Sequence, residues 1–163
     1  MRTNATATAT STPQLTHQTR RLLLVEDDPQ LSAMLCELLS GEGYEVDVAA
    51  DGQRGLHLGL TRPYDVVVLD LFQGDGIPEY LISRDFFRDL KRCLGTSGVA
   101  VFNTFADLDH PRAYAHFLTT LKAELPYVAL YRPDYGIATH INSFIVARAT
   151  PLPDPAGDGL NHV

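Results

Sequence analysis

The chain has 163 residues, 45% of them hydrophobic, with a net charge of −7 at pH 7 and two cysteines. Length and apolar content suit one globular domain with a full core. The acidic balance argues against general affinity for nucleic acid, and no apolar run approaches the ~20 residues that span a bilayer.

Residues 1–19 alternate Thr and Ala and have no apolar stretch of secretory type, so they are expected to be a disordered tail. Residues 150–163, rich in Pro and Gly, form a second loose tail. Between them, residues 20–149 carry alternating strand and helix signals, expected of one α/β domain with a parallel sheet covered on both faces. Leu22 to Val25 is a short, wholly apolar strand ending in Glu26, Asp27 and Asp28. Asp28 and Pro29 then open a helix whose inward stripe is expected to be Leu31, Met34, Leu35, Leu38 and Leu39, with Gly41 or Gly43 as its stop. Tyr44 to Val48 alternates like an edge strand with one wet face.

Residues 52–61 make a weaker helix, because Gly52, Gly55 and Gly59 each cost up to ~1 kcal/mol relative to Ala. After Arg62 and Pro63 comes Tyr64 to Asp70, an apolar run that ends on a carboxylate and meets the turn Gln73-Gly74-Asp75-Gly76. Pro78 is expected to open a helix to about Leu94, with Leu81, Ile82, Phe86 (or Phe87) and Leu90 buried. Val99 to Thr104 reads as the next buried strand, and Asp109-His110-Pro111 as the cap of a helix with Tyr114, Phe117, Leu118, Leu121 and Leu125 inward. Tyr127 to Tyr131 and Ser143 to Ala147 are the last strands. The segment between them is too short for a helical crossover, so they are expected to be antiparallel neighbours.

Reactive groups of a parallel α/β sheet sit beyond the carboxyl ends of its strands. A carboxylate placed as Asp70 is serves as nucleophile, metal ligand or base. Cys36 and Cys93 lack metal or redox spacing and read as ordinary thiols of a reducing, cytoplasmic setting. Arg84, Arg88, Lys91 and Arg92 are interleaved with Asp85 and Asp89, which suits a solvated face, and His57, His110, His116 and His140 have no ligand spacing.

The text RLLLVEDDP from Arg21 to Pro29, GYEV from Gly43, ADG from Ala50 and YDVVVLD from Tyr64 resembles the first half of a response-regulator receiver domain. The separation of Asp27 and Asp70, 43 positions, is normal for that family. The resemblance implies a Mg²⁺ pocket of Glu26, Asp27 and Asp70, phosphorylation of Asp70 and a histidine kinase or phosphotransfer protein as partner. It also implies a switch hydroxyl at the end of the next strand, where Thr104 stands. The family's Lys-Pro is replaced here by Arg132-Pro133.

Beyond Asp70 the receiver pattern stops, since position 74 is Gly where that family has Pro. DLFQGDGIP from Asp70, Phe86-Phe87 and LGTSGVAVFN from Leu94 resemble instead the second half of spermidine-synthase-like proteins, which have a Rossmann methyltransferase fold. In that family the aspartate acts as base toward an amine. The Gly-rich loop for decarboxylated S-adenosylmethionine has no counterpart, because the first loop is Glu26-Asp27-Asp28-Pro29.

The chain therefore reads as a flavodoxin-like/Rossmann-like hybrid. The expected fold is a three-layer α/β/α sandwich with a mainly parallel sheet of order 2-1-3-4-6-5, the last strand antiparallel. The expected function is a receiver-like phosphoacceptor module, with no DNA-binding output domain after its last strand. An aminopropyltransferase fragment with Asp70 as base, or an inert Rossmann-like scaffold, are the alternatives.

Overall fold

The structure, a computed structural model, describes residues 19–70, 83–107, 111–131 and 140–151. Residues 1–18 and 152–163 of the expected tails, the Asp75 turn, Pro78, Leu81, Ile82, the Asp109-His110 cap and Arg132 lie outside those residues. Strands and helices alternate as β1 (Arg20–Glu26), α1 (Pro29–Gly41), β2 (Tyr44–Ala49), α2 (Gly52–Thr61), β3 (Tyr64–Asp70), α3 (Arg84–Cys93), β4 (Leu94–Asp107), α4 (Pro111–Glu124), β5 (Tyr127–Tyr131) and β6 (His140–Arg148). The sheet order is β2-β1-β3-β4-β6-β5, the order expected from the sequence. The β1–β2, β1–β3 and β3–β4 pairs are parallel, and β6 runs antiparallel to both β4 and β5.

Local chemistry sets the boundaries. The Asp28 carboxylate accepts from the backbone N–H groups of Gln30 (2.7 Å) and Leu31 (3.0 Å), which fixes the start of α1. The exit of that helix needs a residue at φ +88°, supplied by Gly43. Ser83 caps α3 through the Phe86 N–H at 3.1 Å.

Right-handed crossovers put α2, α3 and α4 side by side on one face of the sheet and, among the described residues, α1 alone on the other. The first face holds the main core. Leu23, Val25, Val67, Leu69, Ala100, Phe102, Ile145 and Ala147 meet Phe87, Phe117, Leu121 and Leu125 there. Phe87, Phe102 and Phe117 stack edge to face, with centroids 5.5–6.1 Å apart, an arrangement worth about 0.5–1.5 kcal/mol per pair beyond burial. The glycines that weaken α2 as a helix permit this packing. A Cβ on Gly55 would stand 3.0 Å from Val25 Cγ2, and one on Gly59 would collide with Cys93 Sγ.

The other face departs from expectation. Met34 and Leu38, placed in the inward stripe of α1 by their spacing, are each 59% exposed, while Leu31, Leu35 and Leu39 are half-buried and Ser32 is buried. The cause is architectural: α1 lies over β1 and β2, and among the described residues no neighbouring helix covers its flank, so that within them the two faces of the sheet are unequally covered. Among the described residues no helix is long and apolar enough to cross a membrane.

Candidate functional site

Strand register gathers the polar ends of three neighbouring strands. Glu26 pairs with Asp70 across β1 and β3, and Leu69 pairs with Phe102 across β3 and β4, so the next step up brings Asp70 level with Asn103. Side chains alternate along a strand. Val25, Leu69 and Phe102 point into the helix-covered core, so Glu26, Asp70 and Asn103 point to the face that carries α1.

Glu26 is 4% exposed. Its Oε1 accepts from the Asp28 N–H at 2.8 Å, while its Oε2 is buried with no hydrogen-bond partner. Burial pushes its carboxyl above the ordinary glutamate range; the Asp28 N–H opposes this, and the charges of Asp70 and Asp27 add to it. The Asn103 amide donates from Nδ2 to both Asp70 oxygens, each at 3.0 Å, and its own Oδ1 is buried without a partner. None of the ion pairs among the described residues involves Glu26 or Asp70. Two carboxyls and an orphaned carbonyl, with no cationic side chain paired to them among the described residues, are stabilised by a shared proton or by a hard cation. The donor set fits Mg²⁺ in kind, since it consists of oxygens and includes a buried acceptor left unpaired.

The expected site residues fare differently. Glu26 and Asp70 come together. Asp27 is exposed and bears on Glu26 through its charge, and among the described residues no three His, Cys, Asp or Glu side chains form a group able to hold a metal. Of the three expected acids, Glu26 and Asp70 pair across the sheet, and Asp27 stands beside them at the exposed rim. Thr104 does not face Asp70: it is fully buried on the core side, with its hydroxyl donating to the Ser143 carbonyl at 3.3 Å. Strand parity is the reason, because Thr104 shares the phase of Ala100 and Phe102 and Asn103 has the opposite one. That signal was present in the sequence and would have found Asn103. Arg132 lies outside the described residues.

The start of α1 bears on the alternative chemistry. The N–H groups that a bound cofactor would take at this first turn are occupied by the chain's own acids, since Asp28 caps Gln30 and Leu31 and Glu26 accepts from Asp28. The basic residues of α3 are likewise engaged, in pairs Arg84–Glu124 (2.7 Å), Arg88–Asp85 (2.8 Å) and Arg92–Asp89 (2.9 Å). At the β2 edge, Asp47 accepts from Arg62 and, at 2.6 Å, from the Tyr64 hydroxyl.

No family model matches the chain. Over 51 residues, 31% of this chain, it is 47% identical to the transcriptional regulatory protein DltR of Streptococcus agalactiae, covering 23% of that protein. Over 45 residues, 28% of this chain, it is 49% identical to the polyamine aminopropyltransferase of Vibrio vulnificus, covering 15% of that enzyme. The chain thus spans less than a quarter of either relative. Its fold is similar to that of spermidine synthase from Thermotoga maritima, with a TM-score of 0.57 at 14% identity over 90% of this chain and 63% of that one. A short stretch similar to response regulators and another similar to an aminopropyltransferase are therefore joined in one chain with a spermidine-synthase-like, Rossmann-type α/β fold.

Proposed function

We propose that the chain is a receiver-like phosphoacceptor module in which Asp70 takes a phosphoryl group with the help of Mg²⁺. The observation that supports this best is the pairing of buried Glu26 with half-buried Asp70 at the ends of adjacent strands, with Glu26 Oε2 unpaired. Glu26 and Asp70 would hold the ion, with Asp27 adding negative charge at the rim, and the ion would neutralise phosphoryl oxygens. An Asp70 oxygen attacks phosphorus, an acyl phosphate forms, and the bond from phosphorus to the donor's leaving group breaks with the electron pair departing on that group. By analogy with response regulators the donor is a histidine kinase or a phosphotransfer protein. Because Thr104 faces the core, the phosphoryl group would not be read through that hydroxyl, and signalling would differ from that of an ordinary receiver.

Intact mass spectrometry after incubation with acetyl phosphate and MgCl₂ tests this. One added phosphate is expected on the wild type and none on Asp70→Asn. An unmodified wild type at saturating donor refutes the proposal. A second reading, an aminopropyltransferase-like fragment with Asp70 as base, is favoured by the fold likeness. The occupied first turn of α1 weighs against it, and a thermal shift with decarboxylated S-adenosylmethionine would favour it.

A further inference from the structure

Three acceptor oxygens at the strand ends want the same thing. Glu26 Oε2 is buried and unpaired while Glu26 is ionised, Asn103 Oδ1 is buried and unpaired, and the Asp70 carboxylate between them takes the Asn103 amide and, when Glu26 is protonated, the Glu26 carboxyl. A buried acceptor without a partner is destabilising, because it has given up its hydrogen bonds to water. A protein donor for Oε2 or Oδ1 is absent among the described residues. One hard cation could take all three once the Asn103 amide turns its oxygen toward Asp70, because carboxylate and amide carbonyl oxygens are its ordinary ligands.

We propose that Asn103 is a ligand of the cation site, supplying its Oδ1 where the resemblance to receivers led to Asp27. This rests on the cation pocket put forward above. In the cation-free chain the amide presents Nδ2 to Asp70 at 3.0 Å. A half-turn about its Cβ–Cγ bond exchanges the two ends of the amide, removing the donor from Asp70 and bringing Oδ1 to the same place. Asn103 therefore has two states: a donor that restrains an unoccupied Asp70 carboxylate, and an acceptor that helps hold the ion. The register of β3 and β4 keeps it level with Asp70 in both.

Titration of the full chain with MnCl₂, with free Mn²⁺ read by electron paramagnetic resonance and MgCl₂ as competitor, tests the ligand set directly. Asn103→Leu is expected to weaken binding about tenfold or more, and Asn103→Asp, which has only acceptor oxygens, to tighten it. Wild-type affinity in Asn103→Leu overturns the inference and leaves the Glu26–Asp70 pocket standing. Absence of Mn²⁺ binding to the wild type overturns the pocket and the inference together. Should Asn103→Leu fail to fold, the wild type supplies a second readout. The side-chain ¹⁵N–¹H pair of Asn103 must shift when MgCl₂ binds, and a resonance that stays in place while Mg²⁺ binds rejects the amide exchange.

Discussion

Two carboxyl groups held by the same sheet have opposite fates. At the β2 edge, burial of Asp47 is outweighed by the Tyr64 hydroxyl and the Arg62 guanidinium, which hold its carboxyl below the ordinary aspartate range. At the strand ends, burial of Glu26 is reinforced by the negative charges of Asp70 and Asp27, so its carboxyl lies above the ordinary glutamate range. The first acid is fully answered by the chain and works as a latch between β2 and β3. The second is left short of a partner, and a site that the fold does not complete by itself is where a ligand has something to gain.

The largest effect should come from breaking the latch. Asp47→Ala strands the hydroxyl of Tyr64, a residue 1% exposed, beside an Arg62 that offers only donors. A loss of about 1–3 kcal/mol is expected by urea unfolding. A smaller effect, of opposite sign in pH, is expected at Glu26. A carboxyl raised in the folded state contributes stability below its unfolded value of 4.5 and loses it as pH rises through the higher folded value. Melting temperature of the wild type should therefore carry a declining component above pH 4.5 that Glu26→Gln removes, since the amide can donate to Asp70 at any pH. The lowered carboxyl of Asp47 gives the reverse slope, protecting the chain above pH 3.8 and losing that contribution as pH falls through its folded value. If Glu26→Gln melts with the wild-type pH profile, the contrast between the two acids is wrong. The smallest effect is assigned to Thr104→Val, which should leave both the phosphate adduct and Mn²⁺ affinity at wild-type level. A marked loss of either would return Thr104 to the site.

Much of this architecture was legible in the sequence. Apolar runs of strand length and the lengths between them give the elements and the antiparallel last pair, and the resemblance to the two families implied the strand order that is observed. The capping pair Asp28-Pro29 places the start of α1 where it is found. What failed was the step from a pattern to its surroundings. The spacing of Met34 and Leu38 marks an apolar side of α1, yet spacing carries no information about whether a second helix lies alongside, and none does among the described residues. The glycines of α2 looked like weaknesses because helix propensity is a property of the isolated segment. Their use appears only once Val25 and Cys93 are seen pressed against them. At the site, the strand end marked Asp70 and the resemblance to receivers supplied Glu26 and Thr104; phase along β4 instead brings Asn103 to Asp70 and turns Thr104 into the core.

The contact between Gly59 and Cys93 has a practical use. Cys93 is 3% exposed, its sulfur is covered by the backbone of α2, and burial followed by the charge of Asp89 makes its thiol harder to ionise. Cys36, on α1, is half-buried. A thiol reagent should therefore label the two at separate rates, and the slow phase clocks how often α2 lifts away from α3. The chain carries its own reporter of breathing motion, readable without an added dye or a new cysteine.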